Sequence, residues 1–485
     1  MAALLCAGSA WGLPVQDRPQ PFHSGGWIGV TTEGATGEDA AALGDVLFAR
    51  YLLDRAAEPP SPGDSVVIGG TTHEWLELDG DEAGRVQGPA ALAYAPVVRG
   101  SDAVFMAKLS GASTLFVNGD GFVGVSGDPE FEGVPVALRE GRNDLYVSGA
   151  SEGFRLELVP TGEELIVGRW QAEDLEVAWG QDHACLEPVF PIHNASTRWL
   201  DGLHVHYEDN VIFGESARGA NVTEWADGFM LPPLCSVLAP VFACADWPAT
   251  RTRAWIGLNV YHGDPATSPW RVDQSLELDL VEDPRPPLPE FEERGYSGPW
   301  RRRLREALFV YGTLGSEAET AELVGRMRFD MQTWWRREGY LPNVYSDTRY
   351  VEEMENGGWI PAWNMVIYGN AETNAAWDRL LSPDCPIQAG RGILTLGGRT
   401  FERDDLLCLF VHRRSDVGEE RALVGVVADT GVRGARLGYA LEPFASAPGL
   451  PDAVVYSPAL LDPEEQGILA TASFDPTWKL VEDDR

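Results

Sequence analysis

Short hydrophobic runs separated by clusters of Gly, Asp and Pro fill the first part of the chain, from residue 21 to about 167. Runs of this length between turn residues are typical of β-strands. In STLFVNGDGF, residues 115–117 read as a strand, and Asn118-Gly119 predicts a hairpin turn because both residues tolerate positive φ. We therefore predict an all-β sandwich for 21–167.

The alternation of apolar and polar residues continues through 168–284, for example in FPIHNASTRWLDGLHVHYED and TRAWIGLNVYH. A period of two indicates half-buried strands, so this region is predicted to be a second, immunoglobulin-like sandwich. Residues 285–300 follow as a stiff, Pro-rich linker.

Beyond the linker, in 301–485, buried strands alternate with helical patterns. LFVYGTLGSEAET reads as a strand, a turn and a helix that begins with a capping box formed by Ser316 and Glu319. NMVIYGN and ALVGVVADTG supply further continuous apolar strands, which are typical of sheets covered on both faces. ILTLGG and LLCLFVHRR read as an inserted antiparallel pair. The pattern predicts an α/β domain with a mostly parallel, doubly wound, Rossmann- or flavodoxin-like sheet.

Ligands of doubly wound sheets bind beyond the carboxyl ends of the strands. The residues expected at that edge are Gly312, Thr313, Gly369, Asn370, Thr373 and Asp429. We interpret them first as turns and caps of the scaffold, and the alternative is that they form a small ligand-binding cleft.

The chain of 485 residues carries a formal net charge of -37, and it contains only two lysines, Lys108 and Lys479. Such an acidic surface repels nucleic acid and anionic lipid, which excludes both as partners. No apolar run is long enough to span a membrane. Residues 1–20 resemble a signal remnant and linker, with small residues at 7–10, so we predict a secreted, periplasmic or cell-surface protein.

Five cysteines follow this leader: Cys185, Cys235, Cys244, Cys385 and Cys408. The first three lie in one predicted β region, where one disulfide is possible in an oxidising compartment, although buried free thiols are an equal alternative. The cysteine spacings match no metal-site motif, and the sequence contains no HEXXH. His204 and His206 would share one face of a strand, so a zinc site is the alternative to surface or half-buried histidines, but no metal or cofactor is predicted.

The chain contains no G-x-S-x-G elbow and no P-loop. Ser457 follows a strand in VVYSPAL but lacks flanking glycines, and His412 precedes it in the chain. We therefore assign no catalytic residue.

The segment STLFVNGDGFVGVSGDPEFEGVPVALREGRNDLYVSG resembles the PA14-like or galactose-binding modules of secreted hydrolases. The segments GYSGPWRRRLREALFVYGTLGSEAET, NMVIYGNAETNAAW, GGRTFERDDLLCLFV and ALVGVVADTG resemble the C-terminal region of secreted bacterial prolyl-oligopeptidase-like α/β-hydrolases. That resemblance implies flanking domains without the catalytic domain, because only the Pro-rich linker occupies its expected place. We predict an exported, non-catalytic binding or scaffold protein for a glycan, a polymer or a protein partner. The alternative is a serine-type hydrolase of this family with an unrecognised site centred on Asp429 or Ser457.

Overall fold

A computed structural model describes residues 26–32, 37–168, 183–262, 308–338, 343–356, 364–416, 422–441 and 451–481, apart from 56, 69, 82–83, 124–132, 187–188, 214–215, 218–220, 241–242, 247–252, 464 and 476. The predicted signal remnant and the Pro-rich linker 285–300 lie outside the described residues, and the predicted domain boundaries stay predictions.

The first region is built on two facing antiparallel sheets. Its strands are β1 Ile28–Thr31, β2 Ser65–Ile68, β3 Thr71–Glu74, β4 Leu76–Glu77, β5 Arg85–Gln87, β6 Ala90–Arg99, β7 Ala103–Ser110, β8 Thr114–Val117, β9 Asp120–Val123, β10 Val134–Leu138, β11 Gly141–Ala150 and β12 Gly153–Pro160. One sheet has the order β4-β1-β6-β11-β8-β9 and the other β10-β7-β12-β5, while β2 and β3 form a separate ribbon. Side chains such as Phe105, Leu145 and Phe154 fill the space between the two sheets.

The hairpin prediction is confirmed, because Asn118 (φ 53°) and Gly119 (φ 92°) form the turn between β8 and β9. The region is not all-β, however. Helix α1, Gly37–Phe48, and a π-helical turn, Ala49–Leu53, follow β1 and bury Leu43, Leu47 and Leu53. They cover the outer face of the six-stranded sheet.

The second region forms several small antiparallel sheets. Its strands are β13 Leu165–Val167, β14 His183–Leu186, β15 Val189–Asn194, β16 Leu200–Phe213, β17 Ser216–Ala217, β18 Asn221–Leu231, β19 Ser236–Pro240, β20 Ala243–Asp246 and β21 Arg253–His262. They group as β13-β15-β19, as the pair β14-β20, and as a sheet in which β16 pairs β17, β18 and β21. Among the described strands this is not the predicted two-sheet immunoglobulin-like sandwich.

The C-terminal region centres on one eight-stranded sheet. The strands of this region are β22 Leu308–Tyr311, β23 Asn343–Ser346, β24 Met365–Tyr368, β25 Ile387–Gly390, β26 Ile393–Leu396, β27 Arg399–Phe401, β28 Leu407–Arg413, β29 Leu423–Asp429, β30 Ala453–Tyr456, β31 Ile468–Phe474 and β32 Leu480–Val481. Its helices are α2 Glu317–Glu338, α3 Asp347–Glu355, α4 Trp377–Leu380 and α5 Val432–Leu437. The sheet order is β23-β22-β24-β29-β28-β30-β31-β32, and β25–β27 form a separate three-stranded sheet.

The predicted fold class is wrong, because this sheet is mixed rather than mostly parallel. Three of its ladders are parallel, β22–β23, β22–β24 and β24–β29, whereas β28, β30, β31 and β32 pair antiparallel. The connection from β28 to β29 is too short for a parallel crossover, which needs a dozen or more residues, so these strands form an antiparallel pair. The predicted partner of β28, the ILTL strand β26, belongs to the small sheet instead.

Helix α2 joins the first and last regions. It packs against β9 on one side and β22 on the other. One hydrophobic cluster consequently runs from Phe116 and Tyr146 of the six-stranded sheet through Met327 of α2 to Phe309 and Tyr368 of the eight-stranded sheet. The opposite face of the eight-stranded sheet has its own core, covered by α3, α4 and β25–β27.

Candidate ligand cleft

The structure brings the six sequence-predicted site residues together at the carboxyl ends of β22, β24 and β29. Asn370 Nδ2 donates to the Asp429 carbonyl over 3.0 Å, and the Asn370 N–H donates to Thr373 Oγ1 over 2.9 Å. The Thr313 hydroxyl donates to Asp347, which follows β23. The clustering was predictable because the carboxyl ends of parallel strands meet at one edge.

These residues bind one another closely. A Cβ on Gly312 would lie 2.3 Å from the Thr373 carbonyl oxygen, and one on Gly369 would lie 2.7 Å from Thr373 Oγ1. Gly369 also has a φ of 109°, which side-chain-bearing residues rarely adopt. Asn370 and Thr373 are buried. These contacts account for the small residues at this edge as close packing between two loops, and whether a ligand also binds here stays a prediction.

Asp429 is the unusual member of this group. Burial raises the pKa of its carboxyl to about 7, and the negative charges of Glu319 and Glu322 add to that shift. A hydrogen bond from the Gly431 backbone N–H acts in the opposite direction. In contrast, hydrogen bonds from Arg391 hold the pKa of Glu319 at about 2.

The described residues do not join Ser457 and His412 into a catalytic pair. Ser457 is fully buried, and its hydroxyl donates to the Gly467 carbonyl over 3.4 Å. His412 packs against the rings of Phe474 and Trp478, which also contact each other. The geometry expected for a serine hydrolase centred on Ser457 is therefore not formed.

A second histidine lies beside a serine hydroxyl at the centre of the β13-β15-β19 sheet. His193 Nδ1 is 2.7 Å from Ser236 Oγ, and the two residues are a cross-strand pair of β15 and β19. Both are fully buried, and burial lowers the pKa of His193 to about 3. A substrate cannot reach this pair without opening the sheet, so we interpret the contact as one that links strands β15 and β19.

A cleft of about 610 Å³ lies elsewhere, between the first two regions. Its walls come from the β8–β9 hairpin, from the ends of β7, β10 and β12, and from the loop between β15 and β16. The residues lining it are Arg55, Asp102, Ala103, Val104, Val117, Asn118, Asp120, Phe122, Ala137, Leu138, Arg139, Thr161, Gly162, Glu163, Glu164, Ala195, Ser196, Thr197, Arg198 and Leu234. We call this the interregion cleft.

Ion pairs and hydrogen bonds fix two walls of the interregion cleft. Arg198 Nη2 contacts both carboxylate oxygens of Glu164, at 2.5 and 2.7 Å. On the facing wall, Arg55 Nη2 donates to the Gly119 carbonyl over 2.8 Å and lies 3.7 Å from the Asp120 carboxylate. These contacts orient guanidinium and carboxylate groups before any ligand binds.

Two charged side chains of the cleft have no such partner. Among the described residues, the Arg139 guanidinium and the Glu163 carboxylate make no hydrogen bond or ion pair, and both residues are exposed. The partly exposed side chains of Ala103, Val104 and Ala137 add apolar surface. The cleft therefore offers a free donor, a free acceptor and an apolar patch in one concave space.

Sequence reasoning missed the interregion cleft, because its walls come from segments far apart in the chain. The Asn118-Gly119 turn was the one signal for a wall, and it was predicted only as a turn.

Within the part of the chain that the structure describes, no three His, Cys, Asp or Glu side chains are placed to hold a metal ion. No helix among the described residues is long and apolar enough to cross a membrane.

No protein-family model matches the chain, and no curated protein matches it. Among solved structures it is similar to a β-glucuronidase of Bacteroides uniformis, with 10% identity over 39% of this chain and 26% of that one and a TM-score of 0.21. It is also similar to an exo-chitosanase of Amycolatopsis orientalis, with 9% identity over 54% of this chain and 33% of that one and a TM-score of 0.21. A β-D-mannosidase of Dictyoglomus thermophilum is similar as well, with 11% identity over 53% of this chain and 40% of that one and a TM-score of 0.19.

The chain thus spans less than half the length of each of these glycosidases, and likenesses at these TM-scores carry no argument about activity. The resemblance to prolyl-oligopeptidase-like hydrolases drawn from the sequence is wrong. No family model supports it, and the similar solved structures reported above are glycosidases.

Proposed function

We propose that this chain binds carbohydrate in the interregion cleft and does not chemically transform it. The supporting observation is the cleft itself, in which Arg139 and Glu163 present a free donor and a free acceptor above apolar surface. Its volume of about 610 Å³ lies within the range of small-molecule sites.

Sugar chemistry suits this arrangement. Each hydroxyl of a sugar is both a donor and an acceptor, so it pairs best where guanidinium and carboxylate groups lie side by side. Arg198 with Glu164, and Arg55 with Asp120, provide such neighbours on two walls. The partly exposed apolar side chains Ala103, Val104 and Ala137 match the C–H face of a sugar ring.

The proposal also places the protein outside the cytoplasm, as secreted, periplasmic or cell-surface, where polysaccharides are found. The leader-like residues 1–20 motivate this part of the proposal.

The test is isothermal titration of the full chain with gluco-, manno-, galacto- and xylo-oligosaccharides of two to four sugar units. We expect one of these classes to bind, and Arg139→Ala and Glu163→Gln each to weaken that binding at least about tenfold, because each removes a charged hydrogen bond. Arg413→Ala and Glu402→Gln are matched controls, since both are exposed residues of the C-terminal region, and they should leave binding unchanged.

Binding that survives both cleft substitutions would place the sugar elsewhere, and no binding by any class at millimolar concentration would reject the proposal. The same samples should be incubated with ester, peptide and glycoside substrates. Turnover that disappears in Asp429→Ala or Ser457→Ala would instead make the protein a hydrolase.

A further inference from the structure

Strands β14 and β20 place two cysteines directly opposite each other. In this antiparallel pair Cys185 is the register partner of Cys244, flanked by Ala184 opposite Ala245 and Leu186 opposite Ala243. Directly opposed residues have Cα atoms about 4.5 or 5.5 Å apart, depending on the ladder position. A disulfide needs a Cα separation of about 4.4–6.8 Å, so the backbone register meets this requirement.

The other described cysteines are accounted for as buried thiols. Cys235, Cys385 and Cys408 are all free and buried. Cys235 Sγ lies 3.8 Å from Met331 Sδ, and burial raises the pKa of Cys235 to about 12 and that of Cys385 to about 11. Because the thiolate is the reactive form, these side chains are poor partners for thiol–disulfide exchange.

We propose that Cys185 and Cys244 form a cross-strand disulfide that links β14 to β20. The sequence left open which of the three cysteines in this region could pair, and the strand register selects these two. The inference is independent of carbohydrate binding, because it rests only on the register of β14 and β20.

The bond has a structural consequence. Strands β14 and β20 form a two-stranded sheet of their own, and such ribbons are only marginally stable without further support. The link would also close the loop that contains β15 to β19, which reduces the conformational freedom of the unfolded chain.

The chemistry requires an external disulfide as oxidant. The thiolate of one cysteine attacks a sulfur of a small-molecule or protein disulfide and forms a mixed disulfide, releasing one thiol. The second cysteine then attacks the protein-side sulfur and releases the other thiol. Two electrons and two protons leave the protein as the two thiols of the reduced oxidant.

A zinc site is the competing use of the same ladder. His183 is the register partner of Asp246, two residues along from the cysteine pair, so alternation places all four residues on one face of the ribbon. Cys, His and Asp are all zinc ligands. We favour the disulfide because two opposed cysteines suffice for it, whereas four side chains must converge on one metal ion.

The test uses the full chain equilibrated in a buffer of oxidised and reduced glutathione. The protein is then denatured without reductant, alkylated and mapped by mass spectrometry. We expect one linked peptide containing Cys185 and Cys244, which leaves four of the six cysteines alkylated. Reduction should make all six react and should lower the thermal unfolding midpoint by roughly 5 °C.

The double variant Cys185→Ser/Cys244→Ser should lose the linked peptide and the response to reductant, while Cys235→Ser should keep the linked peptide. Three results on the unmodified chain would overturn the proposal. They are alkylation of all six cysteines before reduction, a link that uses Cys235, and one tightly bound zinc per chain whose removal frees both cysteines as thiols.

Discussion

Arg55 and Glu322 are 267 residues apart in the chain, yet Arg55 Nη2 lies 3.3 Å from Glu322 Oε1. Arg55 Nη2 also donates a hydrogen bond to the Gly119 carbonyl, in the hairpin that lines the interregion cleft. Arg436 Nε donates to the other Glu322 carboxylate oxygen over 3.0 Å. A wall of the cleft is therefore connected through one carboxylate to helices α2 and α5.

At the Glu322 site, removing the carboxylate and removing one of its arginine partners should change the free energy of unfolding by different amounts. Burial raises the pKa of Glu322 even though Arg55 and Arg436 lower it, so the cost of burying this charge exceeds the gain from its partners. We expect Glu322→Gln to lower the free energy of unfolding by less than about 1 kcal/mol, and Arg436→Met to lower it by roughly 2 kcal/mol, because the latter leaves a buried charge with one partner. Denaturant unfolding at pH 8 measures both values.

Arg433→Met is the matched control on the same helix. Arg433 is 42% exposed and so is its partner Asp54, while its other partner, the buried Asp405, keeps the ion pair with Arg403. Loss of Arg433 should therefore cost under about 1 kcal/mol. A larger loss in Glu322→Gln than in Arg436→Met would contradict the argument.

Local signals in the sequence predicted local structure well. The capping box is formed as expected, since the Ser316 N–H donates to Glu319 Oε2 over 2.7 Å. Helix α1 was missed although its apolar residues Leu43 and Leu47 recur at a spacing of four, because the strand pattern around it dominated the interpretation.

Tertiary burial of polar residues was not predictable. On α2 the apolar residues Met327 and Met331 recur at a spacing of four, as expected for one face of a helix, and both are buried. Arg326, Arg328 and Asp330 are buried as well. Arg328 lies over the Phe122 ring of the six-stranded sheet, whereas Arg326 pairs with Asp330 and donates to the Leu441 carbonyl beyond α5. Hydrophobic periodicity identifies only the apolar face of a helix, and it does not predict that the polar face is buried by a second layer.

Gly312 offers a prediction at the sheet edge. Gly312→Ala should lower the free energy of unfolding by roughly 2–3 kcal/mol, because the new Cβ would lie 2.3 Å from the Thr373 carbonyl and force the two loops apart. Gly44→Ala in α1 is the control, since a Cβ there meets nothing within 4 Å. It should stabilise the protein by about 0.5–1 kcal/mol. Equal effects of the two substitutions in thermal or denaturant unfolding would show that the loops do not pack as described.

Asp429 predicts a pH dependence of stability. Its pKa of about 7 in the folded state lies above the ordinary value of 3.8, so between these pH values the folded chain holds a proton that the unfolded chain has released. Stability contributed by this group is therefore present at low pH and declines as pH rises toward 7, by at most about 1.4 kcal/mol per pH unit. Asp429→Asn should remove this decline, so the variant gains roughly 2 kcal/mol relative to the original chain between pH 5 and pH 7.

Asp405→Asn is the control for that experiment. Hydrogen bonds from Arg403 hold the pKa of Asp405 below its ordinary value, so this group loses its contribution only as pH falls below about 4. The difference between this variant and the original chain should stay constant from pH 5 to pH 7. A constant difference for Asp429→Asn as well would show that its carboxyl titrates in the ordinary range.

A deeply buried ion pair predicts strong energetic coupling within α2. Arg326 Nη2 lies 2.7 Å from Asp330 Oδ1, and the two side chains are 1% and 0% exposed. Burial raises the pKa of Asp330 to about 6 despite the adjacent guanidinium. Either Arg326→Met or Asp330→Leu alone leaves an unpaired charge in the core, so each should cost roughly 3–5 kcal/mol, whereas the double variant should recover most of that loss.

A double-mutant cycle measured by denaturant unfolding gives the coupling energy, which should exceed about 2 kcal/mol. Arg349 and Glu353 have the same i,i+4 spacing on α3, with 3.9 Å between Arg349 Nε and Glu353 Oε1, but Glu353 is 43% exposed. Solvent screens such a pair, so its cycle should give less than about 0.5 kcal/mol. Additive losses for Arg326 and Asp330 would mean that water reaches this pair, and the contact between α2 and the two sheets that flank it would then be looser than their shared core indicates.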